Sequence, residues 1–129
     1  MNPSVPTPHP QPPRRLLLVE DEPSTAVAMA YLLRRNGFDV VLVGSVHDAL
    51  SALGQPAAFD HIVLDLMLPD GDGASVLAHL RAGGLHVPVT VTSAVSDPDR
   101  LARVRALGAR NVLRKPLEFA DLLEALGAQ

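Results

Sequence analysis

Residues 16–23 read Leu-Leu-Leu-Val-Glu-Asp-Glu-Pro. Four apolar side chains with no polar alternation, stopped by three consecutive carboxylates, fit a strand that is buried on both faces and ends at an acidic edge. The apolar texture recurs at 40–43, 62–64, 87–91 and 112–113, with helical spacing between the runs. The first helical stretch, 26–33, closes at Asn36-Gly37. The second opens at Ser45, a good N-cap, and ends at Gly54. A third, through Val76, Leu77 and Leu80, stops at Gly83-Gly84. A fourth opens with Asp97-Pro98, a cap and a first-turn proline, and runs through Leu101, Val104 and Leu107 to Gly108. The last uses Phe119, Leu122, Leu123 and Leu126. Each strand-plus-helix unit takes about 23 residues, the length of one strand, one helix and two short loops. The expected fold is α/β: one doubly wound, five-stranded parallel sheet with helices on both faces.

Composition narrows the possible functions. The 129 residues suffice for one domain with a real core. Six of the 12 prolines fall within the first 13 residues. That stretch has too little apolar area to fold, so a disordered, proline-rich tail is expected over 1–14 and a folded domain over 15–129. There is no cysteine, which excludes disulfides, thiolate metal sites and thiol catalysis, and suits a reducing compartment. The formal net charge of −3 is more acidic still without Arg14 and Arg15, so direct nucleic-acid binding is not expected. The longest apolar run, 26–33, is far short of a membrane span, and Arg14-Arg15 introduces no secretory segment. A cytoplasmic protein without membrane contact is the expectation.

In an open parallel sheet, ligands collect outside the carboxyl ends of the strands. The residues following the apolar runs are Glu20, Asp21 and Glu22; Asp65; Thr92 and Ser93; and Arg114, Lys115 and Pro116. Lys115 is the only lysine in the chain. Two carboxylates about 4 Å apart repel by about 4 kcal/mol at an effective dielectric of 20, so a proton or a cation must join them. A small set of oxygen ligands with room for water suits Mg2+. Carboxylates, a divalent cation, one ammonium and one hydroxyl are what a phosphoryl group requires: neutralised oxygens, a donor, and a carboxylate oxygen free to attack phosphorus.

Four segments, 16–23 (LLLVEDEP), 61–73 (HIVLDLMLPDGDG), 87–94 (VPVTVTSA) and 108–117 (GARNVLRKPL), resemble in order and spacing the receiver domain of two-component response regulators. The resemblance spans 15 to about 127 and implies a flavodoxin-like sheet of strand order 2-1-3-4-5. It implies that Asp65 is the phosphoacceptor and that Asp21 is a metal-binding acid. Glu20 would stand beside it, acting through water, and the Met67 backbone carbonyl would be a further ligand to Mg2+. It also makes Ser93 the switch hydroxyl, with the small Ala94 leaving space for the phosphoryl group, and Lys115 the partner of the phosphoaspartate. Pro69 and Gly73 would shape the loop after the acceptor. The implied donor is a sensor histidine kinase or a histidine phosphotransfer protein, and the implied output is binding of a downstream protein target. Such a domain assists its own phosphotransfer and dephosphorylation but is not a turnover enzyme.

The chain departs from that pattern at Val112, where receivers usually carry tyrosine or phenylalanine. This departure motivates an alternative, a constitutive protein-interaction module with an intact site and no phosphorylation switch. Arg110-Asn111 replaces acids found in many dimerising receivers. An aspartate-based phosphohydrolase is disfavoured because Met67 stands where its general acid would be, and no Gly-rich nucleotide loop is present. Glu22 reads as a first-turn helix charge, Asp70 and Asp72 as turn residues, and Arg114 as pointing away from Lys115. His47, His61, His79 and His86 are expected at the surface, and His9 in the tail. With only three residues after Leu126, the expectation is a single-domain regulator or a part of a longer protein.

Overall fold

The computed structural model describes residues 13–56 and 58–127. All but the last two residues of the expected tail lie outside the described residues, and Arg14 already belongs to the first strand. In chain order the elements are β1 (Arg14–Val19), α1 (Pro23–Arg35), β2 (Phe38–Val43), α2 (Val46–Leu53), β3 (His61–Asp65), β4 (Met67–Leu68), β5 (Gly71–Asp72), α3 (Ala74–Ala82), β6 (Val89–Ser93), α4 (Pro98–Ala106), β7 (Asn111–Arg114) and α5 (Phe119–Ala125). The five long strands form one sheet ordered β2-β1-β3-β6-β7, and every pairing in it is parallel. Counting only those strands, this is the flavodoxin-like order 2-1-3-4-5 expected from the sequence.

The unalternating strands are explained by burial on both faces. Leu17, Val19, Ile62, Leu64, Val89 and Val91 face one layer with Val76, Leu77 and Leu80 of α3 and Val104 of α4. Leu16, Leu18, Val40 and Val63 face the other, against Met29, Ala30 and Leu33 of α1 and Leu122 of α5. The edge strand β2 is less deeply buried and alternates along its first residues.

Local chemistry sets the element ends. Ser45 Oγ accepts from the Asp48 N–H at the start of α2, as its sequence position suggests. Glu22 is more than a first-turn charge: it is the N-cap of α1, accepting from the N–H groups of Ser24 and Thr25, with Pro23 at the first helical position. The fourth long strand starts at Val89 and not at Val87. Pro88 has no N–H for the ladder, although its carbonyl still accepts from Ile62 N. That strand therefore ends with Thr92 and Ser93 inside it. The sequence reads Asp70 and Asp72 both as turn residues; the structure places Asp72 in β5, and the short hairpin of β4 and β5 turns at Pro69 and Asp70.

Candidate functional site

β1 and β3 are neighbours in the sheet, so the residues at their carboxyl ends converge. Asp65, the last residue of β3, is buried, and Glu20, just beyond β1, is equally so. Lys115 follows β7 and reaches over β6 to both. Its Nζ donates to Asp65 Oδ2 at 2.8 Å and to Glu20 Oε1 at 2.9 Å. The other Asp65 oxygen, Oδ1, accepts from Met67 N at 3.0 Å. Asp21 is exposed, yet one of its oxygens lies within 4.8 Å of an oxygen from each of Glu20 and Asp65. Ser93 is buried at the end of β6; its Oγ accepts from Val95 N at 2.9 Å, and its carbonyl accepts from Lys115 N at 2.9 Å. That backbone bond fixes where the lysine side chain begins. The structure thus brings Glu20, Asp21, Asp65 and Lys115 into one cluster, with Ser93 and Met67 at its margin. The Ser93 hydroxyl is engaged with its own loop, and the Met67 side chain is exposed.

The charges are unbalanced. Burial pushes the Glu20 carboxyl above its ordinary value; Lys115 opposes that shift and Asp65 adds to it. Burial alone would lower Lys115, but its hydrogen bonds to Asp65 and Glu20 outweigh this and hold it above the usual lysine range. One ammonium among three carboxylates leaves net negative charge, which attracts a cation. The donor set is oxygen only, partly open to water, and drawn from two adjacent strand ends. That chemistry fits a hard divalent ion.

The loop after Asp65 is braced by residues read from the sequence only as turn formers. Both Asp70 oxygens accept from α2, from Val46 N at 2.8 Å and His47 N at 2.9 Å, and these bonds hold its carboxyl below the usual range. Asp72 accepts from Ala74 N and pairs with Arg100 Nη2 of α4 at 3.0 Å. Gly73 packs on the backbone of Asp65 and Leu66, where a Cβ would collide with the Asp65 carbonyl.

His61 corrects the expectation of a surface histidine. It is 1% exposed, its Nε2 lies 2.8 Å from Thr90 Oγ1, and its Nδ1 has no partner. Burial, reinforced by Arg14 and Arg110, lowers its pKa to about 4. His47, His79 and His86 are exposed, and so is Arg114.

Residues 16–127 match the response regulator receiver domain. The chain belongs to that family. Among curated relatives of this receiver domain, the probable transcriptional regulatory protein y4xI of Sinorhizobium fredii is 37% identical over 114 residues, 88% of this chain and 49% of its own length. The sensory transduction protein RegX3 of Mycolicibacterium smegmatis is 36% identical over 113 residues, again 88% of this chain and 49% of the relative. The chain spans about half the length of the curated relatives it matches. Among solved structures, the Francisella response regulator 1452 receiver domain superposes with a TM-score of 0.81 at 26% identity, covering 88% of this chain and 93% of that one. The BeF3-activated N-terminal receiver domain of Klebsiella pneumoniae RstA superposes with a TM-score of 0.79 at 26% identity, covering 88% and 95%. A receiver domain is a signalling domain and not a turnover enzyme. Among the described residues, no helix is long and apolar enough to cross a membrane.

Proposed function

We propose that this receiver domain accepts a phosphoryl group on Asp65 from a phosphohistidine of a sensor kinase or a histidine phosphotransfer protein. An Asp65 carboxylate oxygen attacks phosphorus, the P–N bond breaks with its electron pair going to the imidazole nitrogen, and an acyl phosphate forms. Asp21, Asp65 and the Met67 carbonyl would hold Mg2+, with Glu20 acting through water. When bound, that ion would supply positive charge to the phosphoryl oxygens. Lys115 exchanges its bond to Asp65 for one to a phosphoryl oxygen, and Ser93 turns its hydroxyl from the Val95 N–H toward another. Those new contacts exist only in the phosphorylated form, so they shift a two-state equilibrium that a downstream protein reads. The same constellation assists slow hydrolysis of the adduct. This activity suits the cytoplasm, and the folded unit carrying it begins at Arg14, one residue before the 15–129 expected from the sequence.

The observation that carries this reading is the Lys115 ammonium bridging two buried carboxylates beside a third. A constitutive module would keep the same cluster, so the two readings part at the output: target affinity that changes on acetyl phosphate labelling marks the switch, and equal affinity marks the constitutive module. The donor has an apolar approach: α1 exposes Val27, Tyr31 and Leu32. Beside them, Ala28, Met29, Pro116 and Phe119 line, together with Lys115, a groove of about 470 Å³. The test is incubation with Mg2+ and acetyl phosphate followed by intact mass. A phosphoryl increment that vanishes in Asp65→Asn is expected; an increment that survives the substitution overturns the assignment.

A further inference from the structure

The rim of the sheet opposite Asp65 carries a second cleft. It opens where the start of β6 and the approach to β7 meet the C-terminal ends of α3 and α4, with a volume of about 500 Å³. That volume lies in the range of built ligand sites. The length of β6, about 13 Å, separates it from Ser93. Leu77, Leu80 and Val89 form a buried apolar floor with Leu107, and Leu85 stands at the mouth, 45% exposed.

Every titratable side chain lining this cleft is basic: Arg81, His86 and Arg110. Among the described residues neither arginine has an ion-pair partner. In a chain of net charge −3, three bases and no acid around an apolar floor are a local inversion of the average surface. The geometry is also prepared. Gly108 has φ +103° and lies under Arg81, whose Nη1 would be 3.6 Å from a Cβ at that position. Only glycine gives that backbone turn without strain.

We propose that this cleft docks an acidic amphipathic helix of a protein partner, with leucine-type side chains on the apolar floor and flanking carboxylates on Arg81 and Arg110. Guanidinium forks match carboxylates, and residues four apart on a helix share one face, so both halves of the cleft are met by one element. The cleft is concave and offers three bases, whereas an anionic lipid surface draws on a flatter cluster of four to eight. Because the site stands on the far rim, binding there is independent of Asp65 chemistry: it anchors the domain and does not report its phosphorylation.

The probe is a synthetic helical peptide of about 20 residues, long enough to hold a helix in water, with leucines at i and i+4 flanked by glutamates. Its binding is followed by fluorescence anisotropy and mapped by amide chemical shifts. Shifts at Leu85, Leu107 and Gly108 are expected. Arg81→Glu combined with Arg110→Glu should weaken affinity at least tenfold while leaving acetyl phosphate labelling unchanged. Asp65→Asn should bind the peptide as the native domain does, so this test fails or succeeds apart from the phosphoacceptor reading. Equal binding of a leucine-free acidic peptide, equal binding by the charge-reversed domain, or association with anionic phospholipid vesicles in place of the peptide overturns the proposal.

Discussion

At the residue scale, His61 carries a testable charge. Its Nδ1 is buried without a partner, so protonation adds an unsatisfied N–H and a positive charge to an apolar layer near Arg14 and Arg110. The folded-state pKa is about 4, against 6.5 for the free side chain. Between those values the unfolded chain binds a proton that the native chain refuses, so this contribution to stability is lost as pH falls. The loss between pH 7 and pH 5 is about 2 kcal/mol, at 1.36 kcal/mol per pKa unit. Urea denaturation at the two pH values measures it. The difference should shrink by about that amount in His61→Gln, and an unchanged difference would show that other groups set the acid sensitivity. Asp21 and Lys115 separate differently. Asp21→Ala should weaken Mg2+ binding about tenfold or more and slow phosphorylation, whereas Lys115→Ala should still be labelled yet lose the change in target affinity. Titration calorimetry with Mg2+ reads the first, and partner binding with and without acetyl phosphate reads the second.

At the scale of elements, the loop after the acceptor is tied in three directions. Asp70 holds it to α2, Asp72 holds it to α4 through Arg100, and Gly73 packs on Asp65 itself. The ion pair is partly solvated and contributes little alone, on the order of 0.2–1 kcal/mol. The Gly73 contact is backbone against backbone, so nothing can rotate aside. Gly73→Ala should destabilise the fold by about 1–3 kcal/mol and slow labelling of Asp65, measured by denaturation and by the time course of intact mass. A variant with native stability and native labelling would mean that the loop position is set elsewhere. These ties also show where sequence reading stops. The apolar runs, the Ser45 and Asp97 caps and the convergence of Asp21, Asp65 and Lys115 were legible, because period and strand-end position are local properties. Asp70 as a brace for α2 was not, since its partners stand 23 and 24 residues upstream. His61 was misread because it lies at a strand entrance, where neither period nor composition distinguishes a rim from a layer under α5. The available signal was Thr90 on the neighbouring strand, a polar side chain inside an otherwise apolar run.

At the scale of the molecule, β1 and β3 contribute to both apolar layers, so neither layer can melt while the other persists. Leu77→Ala in one and Leu122→Ala in the other should each cost about 2–5 kcal/mol, and each should leave a single transition. The proposed cation site is assembled from the ends of the same sheet, since Asp21 follows β1 and Asp65 closes β3. An ion bound only by the folded arrangement stabilises the whole domain by mass action, about 2.7 kcal/mol at a hundredfold excess over its dissociation constant. Both core variants should therefore regain that amount when Mg2+ is added, although neither substitution touches the site. Asp21→Ala should gain far less at the same concentration. Thermal unfolding of the four proteins with and without Mg2+, followed by circular dichroism, tests this directly. A gain confined to part of the signal, or one that survives in Asp21→Ala, would mean that the ion acts away from the strand ends.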